Sequence, residues 1–175
     1  MPLLGKHNVA NALAATAVAL AISIDLETIK YALEHIEPAK GRLQIHALAS
    51  GVKIIDDTYN ANPFSLNAAL EAIKNFIGKK ILVLADMKEL GENTAELHTN
   101  AGKNIRQAGI DYLFTYGELS ANAAAAFGEG AYHFKEKNKL IEALKPFLCN
   151  QTTILVKGSR SMHMEKVVIE LINQR

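Results

Sequence analysis

Apolar positions first fall at helical spacing and then in short, separated runs. Asn8 to Ile22 carries alanine and leucine throughout and predicts one helix. Asp25 has the character of an N-cap for a second helix, Leu26 to Ile36, which Pro38 closes. Two helices cannot enclose a core, so this piece must lean on something else. Glu37-Pro38-Ala39-Lys40-Gly41 is the best linker candidate, dividing residues 1–39 from 40–175.

After Gly41 strands and helices alternate. Leu43 to Leu48 and Val52 to Ile55 flank Ser50-Gly51 and predict a hairpin. Pro63 opens a helix with Leu66, Leu70, Ile73 and Ile77 along one face. Ile81 to Ala85 is a continuous apolar strand of the kind buried on both faces of a parallel sheet. Helix Thr94 to Ala108, strand Tyr112 to Thr115, helix Leu119 to Phe127 and strand Ala131 to Phe134 come next. Leu140, Ile141, Leu144 and Leu148 mark a further helix, Thr153 to Val156 the last strand, and Met164, Val167, Val168 and Leu171 the final helix. This alternation specifies an α/β fold with an open, mostly parallel sheet and helices on both faces. Ligands of such sheets bind at the carboxyl ends of the strands. Three polar clusters fall there: Asp56 to Asn62, Asp86 to Glu92, and Lys157 to Ser161.

Composition narrows the class. With 49% apolar residues in 175, the chain can fill a core, which excludes a disordered reading. Its 19 basic and 18 acidic residues leave no electrostatic footprint for nucleic acid or an anionic membrane. The apolar stretch Ala12 to Ile24 is interrupted by Thr16 and Ser23 and is shorter than the roughly 20 residues a bilayer needs. Its alanine content favours a helix between protein layers. A lone cysteine, Cys149, rules out an intramolecular disulfide framework and fits a reducing compartment. The expectation is a soluble, cytoplasmic protein.

Several chemistries are missing. No G-x-G-x-x-G follows a predicted strand, no complete phosphate loop fits anywhere, and G-x-S-x-G is absent. The histidines lack H-x-x-x-H spacing, which argues against zinc.

The polar clusters each admit two readings. Asn62 and Pro63 suit a helix entry, but Asp56, Asp57, Tyr59 and Asn60 are left without a structural task. Their carboxylates could hold a ribose or a cation, and their amides a polar substrate. Lys157-Gly158-Ser159-Arg160-Ser161 suits a carboxylate or phosphate, or is a solvated turn with Ser161 as a helix cap. Asp86-Met87-Lys88-Glu89-Leu90-Gly91 reads in isolation as an ordinary polar loop. Asn8 and Asn11 share one face of a helix start and could cap it or read a purine edge. Arg42 could reach a phosphate or be solvated.

In order, His7-Asn8-x-x-Asn11-Ala12, Gly41-Arg42, Asp56-Asp57-Thr58-Tyr59-Asn60-Ala61-Asn62-Pro63, Asp86-Met87-x-Glu89-Leu90-Gly91 and Lys157-Gly158-Ser159-Arg160 resemble the Mur ligases. These are the ATP-dependent amide-forming enzymes of peptidoglycan synthesis, and so of cell-wall growth, shape and division. The Tyr-Asn-Ala-Asn-Pro and Lys-Gly-Ser-Arg strings resemble the branch that joins D-alanyl-D-alanine to UDP-N-acetylmuramoyl-tripeptide.

The resemblance implies a helical tail of the central ATP-binding domain over 1–39 and a Rossmann-like C-terminal ligase domain over 40–175. The phosphate loop and the magnesium ligands would lie upstream, so the chain alone is expected to be inactive. It further implies that Asn8 and Asn11 lie beside the adenine or ribose, that Arg42 approaches the ATP phosphates, and that Asp57 binds ribose or positions ATP. Arg42 and Asp57 are thereby the catalytic candidates. Tyr59, Asn60, Asn62, Lys157, Ser159 and Arg160 would hold the dipeptide. The competing readings are another amino-acid-adding ligase of the same family and a non-catalytic Rossmann-like binding module.

Overall fold

The computed structural model describes residues 1–149 and 151–173. The chain forms two compact units, Met1–Ala39 and a second that begins at Lys40. In the first, α1 (Lys6–Ala21) and α2 (Leu26–Glu34) pack on each other. Asp25 caps α2, its carboxylate accepting from the Thr28 N–H at 2.9 Å and the Thr28 hydroxyl at 2.7 Å. No residue of α1 is buried, and Val9, Leu13, Val18 and Ile22 are exposed. A single partner helix offers only one line of contact, too little to cover a helix that is apolar on several sides.

The second unit is a six-stranded sheet in the order β1-β2-β6-β3-β4-β5. Its strands are β1 (Gln44–Ala47), β2 (Lys53–Asp57), β3 (Lys79–Ala85), β4 (Tyr112–Tyr116), β5 (Ala131–Phe134) and β6 (Thr152–Lys157). The helices are α3 (Pro63–Ile73), α4 (Thr94–Gln107), α5 (Ser120–Phe127), α6 (Lys137–Leu144) and α7 (Glu165–Asn173). Among the described residues only the β1–β2 hairpin is antiparallel, and the other pairings are parallel.

Right-handed crossovers dictate where the helices go. From β2 through β3 and β4 to β5 the chain advances across the sheet in one direction, and α3, α4 and α5 lie side by side on one face. From β5 it must return, which carries α6 to the opposite face beside α7 and sets β6 between β2 and β3. Central strands covered on both faces must be apolar at every position. Ile81 to Ala85 and Ile154 to Val156 are accordingly buried without interruption. One face of this core joins Ile54, Ile81, Val83, Phe114, Ile154 and Val156 to Leu140 and Leu144 of α6 and Val167, Val168 and Leu171 of α7. On the other, α4 and α5 approach so closely that a Cβ built on Gly102 would lie 2.2 Å from the Ala123 carbonyl oxygen.

Two apolar positions end up outside their expected helices. Ile77 lies beyond α3 and is 85% exposed, because the helix stops at Ile73. Pro146 cannot continue an α-helix, so α6 ends at Leu144 and gives way to a 3-10 turn, Lys145–Phe147. Leu148 comes after that turn and still packs against the core.

Candidate functional site at the carboxyl ends of β2, β6 and β3

The insertion of β6 makes a topological switch point. Helices leaving β2 and β3 take one face of the sheet, while α7, leaving β6, takes the other. A crevice opens where such chains diverge. All three expected polar clusters start at these strand ends.

Asp57 and Lys157 are register partners across β2 and β6. The Lys157 ammonium donates to Asp57 Oδ2 at 2.5 Å and to the Asn60 carbonyl at 3.0 Å. The other carboxylate oxygen of Asp57 accepts the Leu43 N–H at 3.2 Å. Lys157 is only 2% exposed. Burial pushes the Asp57 carboxyl above its usual range against the pull of Lys157 and the Leu43 N–H. Burial likewise pushes the Lys157 ammonium down, opposed by Asp57 and aided by the nearby Arg42 charge. Both shifts run against ionisation, as expected of charges taken out of water, and a buried pair of this kind is weak evidence for stability. A buried, perturbed pair at the ends of parallel strands makes this a candidate site.

The segment between β2 and α3 is folded by its own polar side chains. Asp56 Oδ1 accepts the Thr58 N–H at 3.1 Å and the Thr58 hydroxyl at 2.6 Å. Asn60 Oδ1 accepts the Ala61 N–H at 2.8 Å. Asn62 caps α3 in a reciprocal box with Ser65, and Pro63 opens the helix, as a helix entry requires. The Tyr59 N–H donates to the Gly41 carbonyl at 3.0 Å. This brings the exposed Arg42 guanidinium over the half-exposed Tyr59 ring, 4.3 Å from its centroid. Arg42, Asp57, Tyr59, Asn60 and Lys157 thus form one connected cluster.

The loop after β3 is no ordinary polar loop. Asp86 is 1% exposed. Its carboxylate accepts from the backbone N–H groups of Glu118 (3.2 Å), Leu119 (3.0 Å) and Ser120 (2.8 Å), and from Lys88 Nζ (3.1 Å). It therefore caps α5 from a neighbouring strand. Burial alone would raise this carboxyl, but the donors from Ser120, Lys88 and Leu119 outweigh it and hold it below the usual range. Gly117, at φ 116°, leaves the room, because a Cβ there would come 2.4 Å from Asp86 Oδ1.

The same loop holds the Lys157-Gly158-Ser159 turn. The Asp86 carbonyl accepts the Ser159 N–H at 3.1 Å, and Ser159 Oγ accepts the Lys88 N–H at 2.7 Å. Lys157 and Ser159 are buried, so the solvated-turn reading of this segment is incorrect. Ser161 is not the cap either, since Arg160–Met162 is a 3-10 turn and α7 starts at Glu165. Lys137 of α6 pins this turn by donating to the carbonyls of Met162 (2.7 Å) and His163 (3.3 Å).

The remaining expected residues make contacts of their own. Arg160 is exposed, its guanidinium 3.9 Å from Glu165. Asn8 and Asn11 belong to α1 in the first unit, where Asn8 donates to the Leu4 carbonyl at 2.7 Å and Asn11 donates to Asn8 Oδ1 at 3.3 Å. Sequence reasoning missed His98, which is fully buried and binds the Met87 N–H. Its signal was available: His98 shares a helical face with Ala101, Gly102 and Ile105.

Fold and site together define an α/β domain with a buried charged cluster at the switch point of a parallel sheet. The chain belongs to the Mur ligase family: residues 41–160 match the model described as Mur ligase, glutamate ligase domain. Among curated relatives, the UDP-N-acetylmuramoyl-tripeptide–D-alanyl-D-alanine ligase of Haemophilus influenzae is 40% identical over 98% of this chain. A crystal structure of MurF from Acinetobacter baumannii superposes with a TM-score of 0.92 at 33% identity, covering 99% of this chain and 39% of that one. MurF of Thermotoga maritima, solved in complex with ADP, shares the fold with a TM-score of 0.85 at 24% identity, covering 98% of this chain and 39% of that one. The chain spans 38% of the length of the Haemophilus relative.

Proposed function

We propose that this chain is the C-terminal part of an ATP-dependent ligase that joins D-alanyl-D-alanine to UDP-N-acetylmuramoyl-tripeptide in the cytoplasm. Residues 1–39 are the helical tail of its central ATP-binding domain, and 40–175 its C-terminal ligase domain. The observation that carries this reading is the buried Asp57–Lys157 pair at the switch point, with Arg42 beside it. A relative of that name aligned along 98% of the chain supports the substrate assignment.

The reaction has two steps. The terminal carboxylate of the tripeptide takes the γ-phosphoryl group of ATP, releasing ADP and leaving an acyl phosphate. The free amine of D-alanyl-D-alanine then attacks the acyl carbon, an amide bond forms, inorganic phosphate departs and the amine loses a proton.

Arg42 suits the ATP phosphates, because its forked guanidinium donates to two oxygens at once. Asp57 orients Lys157 and, with lone pairs left on both oxygens, can also accept from a ribose hydroxyl. Lys157 spends two of its three hydrogens on Asp57 and Asn60, and the third suits the carboxylate of the dipeptide. Ser159 accepts from the Lys88 N–H, so its own hydroxyl hydrogen is available to the same carboxylate. Tyr59 and Asn60 supply further polar groups from the same cluster, Asn62 starts α3 just beyond them, and Arg160, on the exposed end of the turn, offers a second cation to the dipeptide. Asn8 and Asn11 serve the adenine or ribose from the central domain. Catalysis is then mainly positioning and charge stabilisation.

Magnesium accompanies ATP in this family, yet no group of three histidine, cysteine or carboxylate side chains suited to a metal occurs among the described residues. No step is assigned to it on this chain.

The test is ADP release by the full-length protein given tripeptide nucleotide and D-alanyl-D-alanine. Turnover should require both substrates and fall at least about 100-fold in Asp57→Ala. Normal turnover in that variant, or equal turnover with free D-glutamate as the amine, rejects the assignment.

A further inference from the structure

His98 sits on α4, fully buried, with both ring nitrogens engaged. Nε2 lies 3.0 Å from the Met87 N–H, and Nδ1 lies 2.8 Å from the Thr94 carbonyl. A backbone N–H can only donate and a carbonyl can only accept. The ring is therefore the neutral tautomer with its hydrogen on Nδ1. This tautomer fits α4 to the loop that leaves β3.

The residues on either side of Met87 give this contact its importance. The next N–H, that of Lys88, donates to Ser159 Oγ at 2.7 Å. The preceding carbonyl, that of Asp86, accepts the Ser159 N–H at 3.1 Å. Ser159 is thus held from two sides by a loop whose middle residue is fixed by His98. Ser159 lies two residues beyond Lys157, on the turn that begins where the Asp57–Lys157 pair ends.

We propose that His98 is a positioning residue for the Lys157-Gly158-Ser159 turn, acting through the Met87–Lys88 backbone to hold Ser159 where it meets the carboxylate of the incoming dipeptide. The functional half of this inference rests on the ligase reading above. The geometric half does not.

Two substitutions of similar size separate positioning from mere packing. His98→Gln can present its amide oxygen near the place of Nε2 and accept the Met87 N–H. His98→Asn, one methylene shorter, reaches only the place of Nδ1 and leaves that N–H buried without an acceptor. In amide exchange of this 175-residue chain, Met87 and Lys88 should exchange as slowly as the core amides of β3. The Asn variant should speed both about ten-fold or more while β3 is unchanged, and the Gln variant should restore most of the protection. Fast exchange of Met87 in the unsubstituted chain, or equal behaviour of the two variants, overturns the positioning role.

In the full-length ligase, the Asn variant should raise KM for D-alanyl-D-alanine about ten-fold with KM for ATP changed less than about two-fold, and the Gln variant should recover most of the loss. Equal increases in both KM values overturn the link to Ser159. If the unsubstituted full-length protein ligates no dipeptide, the ligase reading fails, and the exchange comparison still decides the geometric half.

Discussion

Asp57 and Lys157 stand opposite each other across the parallel β2–β6 pair, and their side chains meet at 2.5 Å in a nearly dry environment. Burial outweighs their attraction, raising the carboxyl and lowering the ammonium. Removing one partner should therefore cost far more than removing both. Lys157→Met, which keeps the volume but leaves Asp57 buried and unpaired, should lower stability by about 3–5 kcal/mol in urea unfolding. Adding Asp57→Leu should recover most of that loss. Additive losses in the double variant would show that the two side chains are not energetically coupled, and a double variant as unstable as Lys157→Met alone would mark an ordinary stabilising ion pair.

Asp86 gives the domain an acid-sensitive tie between β3 and α5. Its carboxyl is held below the ordinary value, so on acidification the unfolded chain takes up this proton first. The stability it supplies is complete above the unfolded value of about 3.9 and drains away as pH falls through the lower folded value. Asp86→Asn should cost about 1–3 kcal/mol at neutral pH, because its amide group faces backbone N–H donors. The gap between the two proteins should close as pH drops toward 3. Denaturant midpoints of both proteins between pH 6 and 3 test this, and a gap that stays constant would exclude Asp86 as the titrating group. Asp57 works in the opposite sense, its raised carboxyl favouring the fold on protonation, which is why the difference between proteins is the informative quantity.

The contact of α4 with α5 predicts a sign as well as a size. On helix propensity alone, Gly102→Ala should stabilise the domain by about 1 kcal/mol. The new Cβ would instead meet the Ala123 backbone, its carbonyl oxygen lying at 2.2 Å, and a backbone cannot rotate aside. Net destabilisation by about 1–3 kcal/mol should be measured. A rise in melting temperature would mean that the two helices can separate freely.

The architecture was legible because a two-sided parallel sheet imposes an unmistakable pattern. Ile81 to Ala85 and Thr153 to Val156 are buried without a break, since each strand is covered above and below. The site was legible as polar residues at strand ends, but not as a mechanism. Lys157 reads as a surface cation, because lysines are seldom buried. Only the pairing of strands 100 residues apart in sequence brings it to Asp57. Asp86 has the same history: the N–H groups it accepts lie more than 30 residues onward, after β4, and nothing near it in sequence announces them. Local capping, by contrast, was written in two adjacent residues, Asn62 and Pro63, and formed as such, with Ser65 completing a box that those two residues do not announce.

Arg42 offers a test that reaches the site without dismantling the fold. Its guanidinium lies over Tyr59 on the surface and adds positive charge near Lys157, one of the influences lowering that ammonium. Arg42→Ala should therefore let Lys157 titrate at higher pH, as followed by NMR of labelled lysine side chains in this chain. Arg42→Lys should leave the titration close to that of the unsubstituted protein, since the charge remains. In the full-length ligase the two variants should part company differently. An ammonium can neither fork across two phosphate oxygens nor stack as a plane on Tyr59. Arg42→Lys should thus lose about ten-fold in kcat/KM for ATP, and Arg42→Ala about 100-fold. A lysine variant with full activity would mean that Arg42 acts only as a point charge, and an alanine variant with full activity would remove it from the phosphate site.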